Sequence, residues 1–116
     1  MNTRKRGDEG EALAAEFLKS RGYKIICRNF ASRRGEIDIV AKDGQCLVFI
    51  EVKTRTSLDF GYPAEAVTRR KAERIRKTAL YYLMRNHMDD IPCRFEVVSI
   101  MKNSGKYAID ILPLEF

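Results

Sequence analysis

One segment constrains this chain more than any other. Leu47-Val48-Phe49-Ile50-Glu51-Val52-Lys53 is its most apolar run, yet two charges enter where Val or Thr would be expected. A run this short, rich in β-branched and aromatic side chains, reads as a central strand. Side chains alternate along a strand, so Glu51 and Lys53 share a face. Upstream, Glu36 to Lys42 alternates Ile37, Ile39 and Ala41 against Glu36, Asp38 and Val40. Asp43-Gly44 between the two runs is a strong hairpin signal. Pairing Lys42 with Gln45 puts Asp38 opposite Phe49, diagonal to Glu51. A two-residue slip puts Asp38 directly opposite Glu51, and a one-residue slip sends it to the other face. Registers that keep Ile37 and Ile39 with Val48, Ile50 and Val52 also gather Asp38, Glu51 and Lys53. The apolar and the charged patterns therefore select the same registers.

The flanking segments complete an α/β (α+β) chain. Residues 8–21 read as a helix on the spacing of Leu13 with Phe17 and Ala14 with Leu18, closed by Gly22. Tyr23 to Asn29 reads as a strand, and Ser32-Arg33-Arg34-Gly35 as a turn. Residues 55–63 read as a loop around Gly61 and Pro63. A second helix follows, with Thr68 as N-cap and Ala72, Ile75, Ala79, Tyr82 and Leu83 on its apolar side. Asp89-Asp90-Ile91-Pro92 breaks it. Arg94 to Met101 and Lys106 to Leu112 read as two strands joined by Asn103-Ser104-Gly105. The order α-β-β-β-α-β-β, with no repeat or linker, predicts one domain over 1–116: a mixed sheet of about five strands and two main helices.

No stretch is long and apolar enough to span a bilayer. The basic start runs into Gly7-Asp8-Glu9 instead of an apolar signal core, so a cytoplasmic protein without membrane attachment is expected. Cys27, Cys46 and Cys93 are odd in number and widely spaced, which argues against zinc and disulfides and for reduced, packed thiols. The net charge is +6, and residues 68–85 alone account for it, with seven basic groups against Glu73. Residues 1–34 are also basic, whereas residues 35–67 carry six acids against three bases. An acidic middle between basic segments suits a cation site set in a polyanion-binding surface; a solvated basic helix face would give the same charge pattern.

Asp38 and Glu51 repel each other when both are ionised. A hard divalent cation such as Mg²⁺ removes that repulsion with oxygen ligands, often from only one or two carboxylates. Such an ion polarises a phosphoryl oxygen and lowers the pKa of a bound water. Lys53 on the same face could orient that water or stabilise the transition state. An exposed Glu51–Lys53 ion pair is the bland alternative. Glu11 lies on the apolar stripe of the first helix, where a carboxylate must be paired with an arginine or bind metal. Glu36 shares the expected Asp38 face and is a rival ligand. Lys71 could reach a phosphate or merely snorkel. Phe60 and Tyr62 could serve an interface or stack on bases, ordinary packing being the simpler reading. His87, the lone histidine, reads as a surface residue near a helix end.

At these residues a resemblance enters. Gly7-x-x-Gly10-Glu11, Gly35-Glu36-Ile37-Asp38, Phe49-Ile50-Glu51-Val52-Lys53-x-Arg55 and Arg94-Phe95-Glu96-Val97-Val98 resemble the bacterial YraN-like family. That family is grouped with the restriction-endonuclease-like, PD-(D/E)xK nucleases and is similar to archaeal Holliday-junction resolvases. The resemblance covers nearly the whole chain. It departs at Ile37, which stands where the motif has proline. It implies Asp38, Glu51 and Glu11 as metal ligands for Mg²⁺ or Mn²⁺, Lys53 as the catalytic lysine, and Lys71 as a loose match to a basic helix residue. The expectation is a metal-dependent endonuclease acting on DNA, including branched or damaged DNA, with Arg55, Arg69, Arg70, Lys71 and Arg74 on nucleic acid. The resolvase likeness implies a homodimer. The alternative expectation is a non-catalytic nucleic-acid-binding or adaptor module in a DNA-processing assembly.

Overall fold

A computed structural model describes residues 3–56, 67–88 and 90–114. Helix α1 (Thr3–Ser20) is followed by strands β1 (Lys24–Ser32), β2 (Gly35–Asp43) and β3 (Cys46–Thr56). Helix α2 (Arg69–Arg85) and strands β4 (Cys93–Asn103) and β5 (Lys106–Pro113) complete the chain. The strands form one sheet in the order β1-β2-β3-β4-β5. The β3–β4 pair is parallel and the other three pairs are antiparallel. This is the mixed five-strand, two-helix architecture expected from the pattern. The loop residues 57–66, with Phe60, Gly61, Tyr62 and Pro63, lie outside the described residues, as does Asp89.

Alternation along the central strands divides the core into two layers. Val48 and Ile50 pack with Ile39, Val98 and Ile100 against Ala14, Ala15 and Leu18 of α1. Leu47 and Phe49 pack with Val40 against Ala79, Tyr82 and Leu83 of α2. The sheet is thus sandwiched between its helices, which is why β3 is apolar on both faces over Leu47–Ile50. Phe49 anchors the α2 layer with Tyr82 and Phe95, at centroid separations of 5.7 and 5.5 Å.

Both helices end in the same hydrogen-bonded stop. At α1 the Tyr23 N–H donates to Leu18 O and the Gly22 N–H to Lys19 O. At α2 the Met88 N–H donates to Leu83 O and the His87 N–H to Met84 O. This pairing requires a left-handed residue between helix and exit. Gly22 supplies it at φ +92° and His87 at φ +55°, so α2 stops ahead of the Asp90-Ile91-Pro92 segment. His87 is exposed, as its position suggested. Thr68 caps α2 by accepting from Lys71 N at 3.2 Å. Thr78, absent from the expected apolar side, is fully buried because its hydroxyl donates to Arg74 O at 2.7 Å.

Two features of β1 and β2 depart from simple strand alternation. Ile26 sits in a bulge between the paired Ile25 and Cys27 and is left exposed. Further on, Ile37 packs in the α2 layer while Ile39 packs in the α1 layer. Residues two apart on a regular strand share a face, so the expectation that Ile37 and Ile39 stay together is overturned. The break falls between the pairs Arg28↔Ile39 and Phe30↔Ile37, where Asn29 takes a left-handed φ of +56°. The residue of β2 at that break is Asp38. The thiols are free, as expected, but Cys93 is exposed instead of packed.

Gly35 ties the start of β2 to α2. A Cβ there would lie 3.1 Å from Thr78 Oγ1 and 3.5 Å from Arg74 Cβ, and its φ is +151°. Both the crowding and the backbone exclude a side chain. Gly35→Ala is expected to lower unfolding free energy by about 1–3 kcal/mol, read from urea melts against wild type.

Candidate active site

The β2–β3 hairpin runs in the second of the registers considered. Asp43 pairs with Cys46 around a Gly44-Gln45 turn, and Ile39 pairs with Ile50. The tight turn is one residue later than Asp43-Gly44, which moves the whole ladder by two residues. Extending it places Asp38 level with Glu51. The backbone ladder itself stops at Ile39↔Ile50. Beyond that point the Val52 N–H donates to Asp38 Oδ2 at 2.8 Å, so a side chain takes the place of a strand carbonyl.

β3 remains paired with β4 through this region, from Glu51↔Val97 to Thr56↔Lys102. Alternation from Phe49 carries Glu51 and Lys53 to the α2 side. Lys53 Nζ lies 3.8 Å and Lys71 Nζ 3.9 Å from the same oxygen, Glu51 Oε1. The Asp38 carboxylate lies near enough to Glu51 to oppose its ionisation. Four side chains from β2, β3 and the first turn of α2 thus converge where β2 leaves β3.

The electrostatics of this group oppose full ionisation. Burial, then the neighbouring Asp38 charge, pushes the Glu51 carboxyl up to about 7 against the pull of Lys53 and Lys71. Burial, then the nearby Lys71, holds the Lys53 ammonium below its ordinary value. Both lysine contacts are long for charge-assisted hydrogen bonds. A carboxyl pushed toward its neutral form by an adjacent carboxylate suits a hard divalent cation, which would remove the repulsion between them.

The remaining expected residues fall as follows. Glu11 is buried on α1, with Oε1 3.9 Å from Arg28 Nε of β1. The arginine pairing weighed for it is therefore present. Among the described residues no three acidic, histidine or cysteine side chains converge closely enough to hold a metal, so Glu11 is not gathered with Asp38 and Glu51. Its helix is drawn close to the sheet beside it: a Cβ on Gly10 would sit 2.7 Å from Thr54 Oγ1. Glu36 is exposed, paired across to Ala31. Arg55 is half-buried on β3, and Arg69, Arg70 and Arg74 are exposed on α2. Lys71 was only a loose candidate in the sequence; its nearness to Glu51 depends on a crossover helix whose docking no local spacing reports.

The fold and this site define a small α+β protein with paired carboxylates and lysines at a split in its sheet. The profile described as Uncharacterised protein family UPF0102 matches residues 10–100, and the chain belongs to that family. It is similar to a UPF0102 protein of Caldicellulosiruptor saccharolyticus, 46% identical over 111 residues that cover 96% of this chain and 94% of the relative. A UPF0102 protein of Trichlorobacter lovleyi is 49% identical over 112 residues, covering 95% and 88%. One from Chlorobium limicola is 50% identical over 98 residues, covering 84% and 76%.

The raised Glu51 value sets a pH dependence. A carboxyl whose folded pKa lies above its unfolded value of 4.5 keeps its proton longer in the native state. The associated stability is present below about pH 4.5 and is lost as pH rises through about 7. Glu51→Gln mimics the protonated form at every pH. Without divalent ions it is expected to match wild type near pH 4.5 and exceed it by on the order of 1–3 kcal/mol at pH 8, measured by denaturant unfolding at both pH values.

Proposed function

We propose that this protein is a member of the restriction-endonuclease-like superfamily and a Mg²⁺- or Mn²⁺-dependent endonuclease acting on DNA. The observation that carries the reading is the Asp38–Glu51 pair flanked by Lys53 and Lys71 at the end of the β2–β3 ladder. In phosphodiester hydrolysis a water oxygen bonds to phosphorus as one P–O ester bond breaks, and the departing oxygen takes up a proton. Asp38 and Glu51 would hold the ion. Bound there, it supplies Lewis-acid polarisation of a phosphoryl oxygen and a water of lowered pKa. Lys53, beside Glu51, stabilises the charge that develops on the phosphoryl oxygens. Asp38 is held in place by the Val52 N–H, so its carboxylate needs no reorganisation. The exposed Arg69, Arg70 and Arg74 at the start of α2 supply affinity for the backbone.

Glu11 supports this arrangement from α1 through its contact with Arg28, whose backbone pairs with Ile39 beside Asp38. Among the described residues no helix is long and apolar enough to cross a membrane, which suits a cytoplasmic DNA-processing role. A homodimer would let two such sites address two strands of a branched substrate.

The test is cleavage of duplex, flap and four-way DNA with Mg²⁺ or Mn²⁺, beside Asp38→Asn and Lys53→Met. Wild type is expected to give metal-dependent products and each variant at least a hundredfold less, on the order of one removed electrostatic stabiliser. Product formation equal in wild type and Asp38→Asn sinks the catalytic reading. A non-catalytic nucleic-acid-binding module then remains, since it needs only the basic face of α2.

A further inference from the structure

The β1–β2 turn docks on α2 rather than projecting away from it. Arg34 lies over the Tyr81 ring, with Cζ 5.3 Å from the centroid. Gly35 rests against Arg74 and Thr78. Arg33 and Arg34 are both exposed. On α2 the exposed Arg70, Arg74 and Lys77 recur at i, i+4 and i+7, a single stripe whose next member is Tyr81. The turn therefore extends the stripe that already carries these cations. Glu73, the acid of this helix, stands three residues after Arg70 and four before Lys77, on the flank of the stripe toward Arg69 and Arg76, where it offsets one of these cations. Glu36 follows Gly35 but alternates away from Ile37, which packs on the α2 layer.

From this we infer that Arg33 and Arg34 join Arg70, Arg74 and Lys77 in one basic ridge that binds the phosphate backbone of duplex nucleic acid. The inference rests on the nucleic-acid reading above and gives it a surface and a substrate class. The ridge starts beside Lys71, which touches Glu51, and runs along the helix to the turn. At about 1.5 Å per residue, Arg70 to Tyr81 spans roughly 16 Å. A duplex strand rises about 3.4 Å along its axis per phosphate while winding around it, so a ridge of this length faces a short run of backbone phosphates. Duplex is favoured over single strand because single-strand grooves use free aromatic faces for base stacking. The ring within this ridge, Tyr81, is taken by Arg34 and by Phe30, whose centroid is 6.2 Å away.

The experiment is a fluorescence-anisotropy titration of a labelled duplex of about 20 base pairs in EDTA, repeated across roughly 50–200 mM salt. The proteins are wild type, Arg33→Gln, Arg34→Met, Arg74→Gln and Lys77→Gln, with Lys106→Gln on the β4–β5 turn as control. Arg34→Met keeps an apolar stem on Tyr81, and circular dichroism melts confirm that each variant folds. Each ridge variant is expected to lower the slope of log K against log salt by about 0.9, as one lost duplex phosphate contact requires. Lys106→Gln is expected to leave it unchanged. Ridge variants indistinguishable from Lys106→Gln, with wild-type binding intact, overturn the ridge and leave the nucleic-acid reading standing. A preference for single strands, with a loss per variant of about 0.7, overturns the duplex assignment. Absence of wild-type binding at the lowest salt overturns both.

Discussion

The hydrogen bond from Val52 N to Asp38 Oδ2 is the contact on which the arrangement of the site depends. A half-buried backbone N–H must be satisfied, and in a sheet the neighbouring strand normally does so. Here the β2–β3 ladder ends at Ile39↔Ile50, and the next inward donor of β3 would be orphaned if β2 simply diverged. Asp38 replaces the missing carbonyl with its own carboxylate. β2 can then turn Ile37 toward α2 while β3 continues beside β4, and the charged residues occupy the opening between them. The same carboxylate has a structural and an electrostatic part. Substituting Asn retains an acceptor for Val52 and removes only the charge, whereas Ala would add the cost of an unsatisfied donor, about 1–3 kcal/mol.

Charge balance explains why the opening is suited to more than packing. Asp38 and Glu51 face Lys53 and Lys71, so the formal charges cancel when all four are ionised. The lysines approach only one Glu51 oxygen, at 3.8 and 3.9 Å, and burial opposes the charges of Glu51 and Lys53. On the proposed reading, adding a divalent cation leaves an excess of two positive charges, which a phosphodiester backbone would offset. Metal and polyanion would then each favour the other's binding without any change of fold.

The fold and the centre of this site were legible because strand alternation carries discrete information. Any register that buried Val48 and Ile50 with Ile39 had to bring Asp38 near Glu51 and Lys53. The offset was less secure, since moving the turn by one residue, from Asp43-Gly44 to Gly44-Gln45, shifts the ladder by two and preserves every face. What escaped were events without a period. Asn29 adopts a left-handed backbone opposite the point where Ile37 and Ile39 part to different layers. Thr78 is buried through a bond to its own helix. Arg28 as the partner of Glu11 and Tyr81 as the partner of Arg34 depend on packing between distant segments.

A second charged cluster at the other end of the sheet shows why the Asp38–Glu51 group is read as functional. Arg94 of β4 donates to Asp43 Oδ2 at 2.7 Å and to the Tyr23 hydroxyl at 3.0 Å, and lies 3.3 Å from Glu96 Oε2. Tyr23 in turn donates to Glu96 Oε1 at 2.7 Å. These bonds join the exit of α1, the β2–β3 turn and the start of β4. Arg94 is driven further toward its charged form, chiefly by Asp43. A structural ion network behaves in this way, because short and directional bonds stabilise the ionised state of its central cation. At the fork the shifts have the opposite sense: Glu51 is driven toward its neutral form and Lys53 away from its charge. Both clusters contain acids and bases in contact, so ion pairing alone does not separate them. The difference is that one cluster is satisfied by its own members and the other is not, which is the electrostatic condition of a site built to receive a charged ligand.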